Sequence, residues 1–142
     1  IERANEQMNI ITSAVRNNGI DPRLLAAIGV RESGFQSVDQ TAGAGHGFGV
    51  FQLDAGQGYS SEDAHNLSLA ANLTAAHLRS DMDRVTNHRP TVVSAGAVNL
   101  ATAVAYNRGF GSVPDNPVNM DQAAGTAHLN YGISVIELMS CF

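Results

Sequence analysis

The chain has 142 residues, 44% of them hydrophobic and 15% charged, which predicts one compact globular domain over residues 1–142 rather than a disordered segment. The net charge is −5, and the eight basic residues, all arginines, form no cluster, so nucleic acid is excluded as an expected partner. No apolar run approaches the ~20 residues needed to span a bilayer.

The ends of the chain carry little functional information. It begins at Ile1 and shows no basic segment followed by an apolar one, so we expect a processed product or a fragment of a longer protein, whose targeting signal is not visible. Cys141 is the single cysteine. No disulfide can form within the chain, and we expect Cys141 to be buried or paired outside the fragment, without a catalytic role.

Two helices are predicted in the first third of the chain. Apolar residues at spacings of four, three and four predict a helix over residues 3–17, and Gly19 suits the left-handed position after its end. Asp21 as N-cap and Pro22 at the first helical position predict the start of a second helix. Because this helix is apolar nearly all round, we expect it to be central and buried, and to end near Ser33-Gly34.

The rest of the chain is predicted to be a loop region followed by three helices. Residues 36–60 are rich in glycine, and the apolar stretch 50–53 within them is either a turn of helix or a small hairpin. Helices are predicted from Ser61 to the Arg89-Pro90 pair, over 94–107 and over about 121–140. The longest has an apolar inner face formed by Leu67, Ala71, Thr74, Leu78, Met82 and Val85. The fold class is therefore mainly α, with a small irregular or β region.

Several common sites are absent from the sequence. The glycine loop does not match G-x-G-x-x-G, and a P-loop requires a lysine, which the chain lacks. No G-x-S-x-G, H-E-x-x-H or cysteine pair is present. The histidines show no ligand spacing, and we interpret four of them as surface or packing residues: His65, His77, His88 and His128. We therefore expect no metal and no organic cofactor.

Glu32 is the leading candidate for chemistry. It lies at the end of the apolar run 24–30, where burial would penalise the charged carboxylate and raise its pKa. A carboxylic acid that keeps its proton near neutral pH can donate it to a leaving group, as glycoside hydrolysis requires. The alternative is an ordinary helix-end glutamate, solvated or paired with Arg31.

A second acid follows the glycine-rich loop. Asp54 comes after Gln52, and two acids separated by a flexible loop suit sugar hydrolysis, in which one protonates the glycosidic oxygen and the other positions or deprotonates water. Asp54 is equally suited to cap the turn that follows it, and Gln52 to tie down the loop.

Three motifs occur in a consistent order: Arg31-Glu32-Ser33, then Gly47-Phe48-Gly49-Val50-Phe51-Gln52-Leu53-Asp54, then Ala105-Tyr106-Asn107-Arg108-Gly109. Together they resemble the E-S-G-F, G-x-x-Q and A-Y-N-x-G motifs of the lysozyme-like transglycosylase superfamily. The Gly-Phe-Gly start and final Asp of the second motif resemble the goose-type lysozymes in particular. The segment 125–131 also resembles the last part of that family.

This resemblance implies a two-lobed, lysozyme-like helical fold that cleaves the β-1,4 bond between N-acetylmuramic acid and N-acetylglucosamine in peptidoglycan. Glu32 would be the general acid, and Asp54 would help to hold the attacking water. The residues implied to line the substrate cleft are Ser33, Gly49, Gln52, Tyr106, Asn107 and Tyr131. Tyr106 and Tyr131 are alternatively core aromatics with a satisfied hydroxyl.

The sequence departs from the goose-type pattern at one acid. The family carries a further aspartate before Gly-Phe-Gly, and Gly43 occupies that place here. Asp39 is the nearest possible second acid. A lone glutamate suffices for a lytic transglycosylase, in which the 6-hydroxyl of the muramic acid attacks and a 1,6-anhydro product forms. A third alternative is a module that binds glycan without cleaving it.

The resemblance also implies a setting. Peptidoglycan lies outside the cytoplasm, so we expect a secreted, periplasmic or phage-delivered domain whose partner is the glycan strand. The acidic charge favours a monomeric catalytic domain attached to other domains or to a delivery assembly over a freely diffusing antibacterial lysozyme.

Overall fold

A computed structural model describes residues 1–40, 47–120 and 130–142. The described chain is mainly helical, as predicted, with one short antiparallel hairpin. In chain order the helices and strands are α1 (Glu2–Glu6), α2 (Met8–Val15), α3 (Pro22–Ser33), β1 (Gly47–Phe48), β2 (Leu53–Asp54), α4 (Ser61–His65), α5 (Leu67–His88), α6 (Pro90–Ser94), α7 (Val98–Arg108) and α8 (Tyr131–Met139). Short 3₁₀ turns occupy Ala55–Gln57, Phe110–Ser112 and Pro117–Asn119.

Helix α3 forms as its sequence predicts. The carboxylate of Asp21 accepts a hydrogen bond from the backbone N–H of Arg23 at 2.9 Å and so caps the first turn. Gly34 ends the helix in the left-handed conformation, with φ 66°. Six consecutive residues, Leu24 to Gly29, are buried, which confirms the expected central position of α3.

Other predicted boundaries are wrong. The predicted helix 3–17 is two helices, because the backbone leaves the helical region at Gln7 (φ −109°, ψ 13°). The helix predicted from Ser61 is interrupted at Asn66, whose side chain caps α5 by accepting from the N–H of Leu69. Pro90 begins α6 rather than only ending a region, since proline fits the first turn of a helix.

The last two predicted helices agree in part with the structure. Helix α7 begins at Val98 rather than at 94, because α6 occupies the chain up to Ser94. Helix α8 ends at Met139, close to the predicted 140. The first part of the predicted last helix, residues 121–129, lies outside the described residues.

The segment 50–53 is part of a hairpin, one of the two predicted alternatives, with the turn at 49–52 and Leu53 in β2. Gly47 pairs with Asp54 and Phe48 with Leu53. On the other side of β1, Asp39 forms a bridge with Phe48. Three extended segments therefore lie side by side after α3.

The core forms where α3 packs on α8 and where α7 packs on both α5 and α8. The largest fully buried side chains of the main core include Tyr131, Phe51, Ile11, Leu24, Leu25, Ile28 and Leu78. Among the described residues, no helix is both long and apolar enough to cross a membrane.

Candidate active site around Glu32

Glu32 lies in the last turn of α3, where its side chain is partly buried. Burial raises the pKa of Glu32 above its usual value, while the hydrogen bond from Tyr131 and the charge of Arg31 act in the opposite direction. The raised pKa is the direction expected from the sequence. Glu32 is therefore a weaker acid than an exposed glutamate.

Tyr131 is the direct partner of Glu32. Its hydroxyl donates a hydrogen bond of 2.6 Å to Glu32 Oε1, across 99 positions of sequence. The side chain is 2% exposed, and the guanidinium of Arg31 lies over its ring, 5.1 Å from the centroid. Burial, followed by the charge of Glu32, raises the pKa of Tyr131, so its hydroxyl acts as a neutral donor that orients one carboxyl oxygen.

Tyr106 anchors the loop beside Glu32. Its hydroxyl donates to the carbonyl of Phe51 at 2.8 Å, which joins α7 to the hairpin turn. Its ring is partly exposed, but the hydroxyl is buried. Burial, followed by the charge of Glu32, raises the pKa of Tyr106. The hydroxyl is thus satisfied within the protein, and any contact with substrate would use the ring.

Ser33 fixes the hairpin turn to α3, and Gln52 fixes it to the segment that follows α3. Ser33 Oγ donates to the carbonyl of Val50 at 2.7 Å, in addition to a longer bond to Gly29. Gln52 Nε2 donates to the carbonyls of Val38 and Gly49, both at 2.8 Å. These bonds place the hairpin turn next to the end of the helix that carries Glu32.

Gly49 is required by close packing. Its φ is +73°, and a Cβ built there would lie 2.1 Å from the carbonyl oxygen of Ala64. The backbone of the hairpin therefore approaches α4 more closely than any side chain would allow.

The two candidate second acids have protein partners and lie on opposite faces. Asp54 accepts from the N–H of Gly56 at 2.7 Å and caps the 3₁₀ turn that follows. Asp39 Oδ1 lies 2.8 Å from His65 Nε2. Asp39 is opposite Phe48, whereas Asp54 is opposite Gly47. Because neighbouring strand residues point to opposite faces, the two carboxylates project in opposite directions.

Asn107 differs from the other cleft candidates in having a free polar atom. Its Nδ2 is buried and has no hydrogen-bond partner in the described structure. Buried donors are seldom left without an acceptor. Asn107, the next residue after Tyr106 on α7, therefore carries a buried donor that no described protein group satisfies.

A buried carboxyl near Tyr106 was not predicted from the sequence. Asp81 on α5 is 7% exposed, and its burial raises its pKa against the opposing charges of His77 and Arg84. His77 Nε2 lies 3.3 Å from Asp81 Oδ2, and its ring is 5.1 Å from that of Tyr106. The burial of Asp81 could have been predicted from its spacing in the sequence. It falls at helical intervals from residues 74, 78 and 85, which places it on the apolar face of α5.

An apolar hollow lies away from Glu32. It is bordered by α7 and α8, and its lining includes Leu100, Ile133, Ile136 and Met139. None of the candidate catalytic residues contributes to it. In the part of the chain that the structure describes, no group of three His, Cys, Asp or Glu side chains could hold a metal ion.

Comparison with known proteins assigns neither a family nor a function to this chain. No model of a known protein family matches the chain, and a search of curated proteins finds no significant match. Its function is therefore inferred from the motifs and from the geometry of the site.

Proposed function

We propose that the protein is a peptidoglycan-cleaving glycosidase with a lysozyme-like fold, which acts on the β-1,4 bond between N-acetylmuramic acid and N-acetylglucosamine. The observation that carries the proposal is the partly buried Glu32, with one oxygen held by Tyr131 and its pKa raised. The three ordered motifs support the substrate assignment.

Glu32 is the general acid in this proposal. Since Tyr131 holds Oε1, Oε2 is the oxygen that carries the proton to the glycosidic oxygen. As the carbon–oxygen bond breaks, the carboxylate that remains is stabilised by the hydroxyl of Tyr131 and by the positive charge of Arg31, the two interactions that favour its charged form. Glu32 can then accept a proton from the attacking nucleophile.

Hydrolysis requires a second acid to position water, and Asp54 is the candidate that the motifs supply. Its carboxylate accepts one backbone hydrogen bond, from Gly56. A carboxylate has about four acceptor positions, so capping leaves capacity for a water. Asn107 and the ring of Tyr106 would contact the sugar.

The lytic transglycosylase is the second candidate, and a specific observation favours it. Asp54 caps a turn, Asp39 is held by His65, and the two project from opposite faces of the hairpin region. If neither acid positions water, Glu32 acts alone and the 6-hydroxyl of the muramic acid is the nucleophile. A glycan-binding module without activity is disfavoured by the raised pKa of Glu32.

Both candidates place the protein outside the cytoplasm, where the glycan strand is its partner. Its acidic charge fits a monomeric catalytic domain carried by a larger protein or assembly.

Mass spectrometry of fragments released from purified peptidoglycan tests the proposal. Glu32→Gln should release none while keeping the wild-type circular dichroism spectrum, and Glu62→Gln, which removes an exposed carboxyl on α4, should behave as wild type. Release of fragments by Glu32→Gln at the wild-type rate, or none by the wild type, would refute the proposal.

The ends of the fragments separate the two candidates. A reducing muramic acid establishes hydrolysis, and Asp54→Asn should then slow the reaction by a smaller factor than Glu32→Gln. A 1,6-anhydromuramic acid end, lighter by one water, establishes the transglycosylase, and Asp54→Asn should leave the rate unchanged.

A further inference from the structure

Ser37, His65 and Asp39 form a hydrogen-bonded chain outside the site around Glu32. Ser37 Oγ lies 2.7 Å from His65 Nδ1, and His65 Nε2 lies 2.8 Å from Asp39 Oδ1. When Nε2 carries the imidazole proton and donates it to Asp39, Nδ1 is free to accept the hydroxyl proton of Ser37. The groups follow the order of a nucleophile, base and orienting-acid triad, with the two ring nitrogens exchanged relative to the Ser-His-Asp template, in which the serine contacts Nε2 and the aspartate contacts Nδ1.

The local structure accounts for the arrangement. Ser37 and Asp39 are two residues apart, and their side chains reach the two nitrogens of the same imidazole ring. A hydrogen bond from the N–H of Val38 to the carbonyl of Gln36 turns the backbone tightly at Ser37. The ring is fixed on α4, which Ser60 caps and which packs closely on Gly49.

The three side chains are open to solvent. The side chains of His65 and Asp39 are 36% and 38% exposed, and Ser37 is exposed as well. Within the described structure the backbone N–H of Ser37 donates no hydrogen bond. A free N–H on the nucleophile itself is a donor that can stabilise the oxyanion of a tetrahedral intermediate.

We propose that Ser37, His65 and Asp39 form a second hydrolytic site, a serine esterase site for small acyl esters. Because the triad is shallow and exposed, it fits a short acyl group carried on a large molecule, such as an acetyl ester of a sugar hydroxyl, rather than a long buried acyl chain. The site does not use Glu32, so it is independent of the glycosidase proposal.

The reaction is balanced with water as the co-substrate. Ser37 Oγ bonds to the acyl carbon while its proton passes to His65 Nδ1, and the ester C–O bond breaks as the alcohol takes that proton. Water then attacks the acyl carbon and gives a proton to His65 Nδ1. The bond to Ser37 Oγ breaks, the proton returns to that oxygen, and the carboxylic acid leaves. Asp39 stabilises the protonated imidazole in both steps.

Hydrolysis of p-nitrophenyl acetate by the purified chain tests the activity. Ser37→Ala and His65→Gln should each lower the rate constant by about 10²-fold or more, and the double variant should be no slower than either, because the residues act as a unit. Controls of the same residue types are Ser68→Ala and His88→Gln, both exposed and outside the triad. They should keep the wild-type rate.

Covalent labelling gives a second readout that needs no variant to fold. A fluorophosphonate probe should modify the wild-type chain on the peptide that contains Ser37, and p-nitrophenyl acetate should compete with the labelling. Labelling absent from Ser37, or a Ser37→Ala rate equal to wild type, would overturn the proposal and leave the three residues as a structural tie between the loop and α4.

Discussion

The hydrogen bond from Tyr131 to Glu32 allows a quantitative test of the site. Tyr131→Phe removes the hydroxyl that lies 2.6 Å from Glu32 Oε1, and Tyr131 is only 2% exposed, so water does not readily replace it. A hydrogen bond to a charged group contributes about 1.5–3 kcal/mol, against about 0.5–1.5 kcal/mol for a neutral pair. The loss of unfolding free energy should therefore be about 1–2 kcal/mol larger when Glu32 is ionised.

The pH dependence has a definite sign. Burial raises the pKa of Glu32 in the folded state, so the stability linked to this group is fully present below its unfolded pKa and is lost as pH rises through the folded pKa. The hydrogen bond from Tyr131 opposes this effect by favouring the charged form. Removing the hydroxyl raises the pKa of Glu32 further, and Tyr131→Phe should lose more stability at pH 8 than at pH 3.5.

Urea unfolding at both pH values measures these losses in the wild type, Tyr131→Phe, Glu32→Gln and the double variant. The effects of Tyr131→Phe and Glu32→Gln on the unfolding free energy should be non-additive at pH 8 and closer to additive at pH 3.5. Tyr106→Phe is the matched control, since its hydroxyl donates to a neutral carbonyl, that of Phe51, and its loss should be the same at both pH values. An equal loss for Tyr131→Phe at pH 3.5 and pH 8 would refute the reasoning.

Three further predictions concern stability. Glu32→Gln should raise the melting temperature near neutral pH and flatten its dependence on pH, because it removes a partly buried carboxylate whose pKa is raised by burial. A lower melting temperature at pH 7 would contradict this. Asp21→Ala should cost about 0.5–2 kcal/mol in urea unfolding through loss of the α3 cap. The hydrogen bond from Arg23 lowers the pKa of Asp21. The stability that the cap contributes is therefore present above the unfolded pKa of Asp21 and is lost as pH falls through its folded pKa. A loss of stability in Asp21→Ala that grew in acid would be inconsistent with this. Gly132→Ala places a Cβ 2.8 Å from Leu100 Cδ1. Overpacking should cost about 1–3 kcal/mol, more than the gain of about 1 kcal/mol in helix propensity, so the melting temperature should fall. A raised melting temperature would exclude this close contact.

The sequence predicts α3 well because its signals are local. The Asp21 cap, the Pro22 start and the Gly34 end act within one turn of the residues that they terminate. The division between α1 and α2 was not predictable in this way. Gln7 is neither glycine nor proline, and the apolar spacing continues across it, so the break is decided by packing rather than by local preference.

The site is predictable only as far as its motifs extend. Glu32 could be selected because its burial follows from the apolar run before it in the same helix. Tyr131 could not be predicted as its partner, because their hydrogen bond joins residues 99 positions apart and depends on how α8 packs on α3. The same reason hid the contact of His65 with Ser37, 28 positions away in sequence, and led us to interpret His65 as a surface or packing residue.

Backbone strain gives an independent reason to regard the Glu32 region as functional. Among the described residues, the non-glycine positions with positive φ are Phe35 (58°), Gln52 (51°) and Asn130 (68°). Phe35 follows Glu32 by three residues, Gln52 belongs to the hairpin turn that Tyr106 and Ser33 anchor, and Asn130 immediately precedes Tyr131. Asn tolerates this conformation, but for a bulky residue such as Phe it costs of order 1–3 kcal/mol.

A loop selected only for stability would place glycine at such positions. Phe35 instead keeps its ring, which is 4% exposed and packs edge-on against Phe51, with centroids 6.0 Å apart. That contact holds the hairpin turn against the end of α3, beside Glu32. The strain is therefore retained where it fixes the position of the loop relative to the acid, which is the arrangement that a preorganised active site requires.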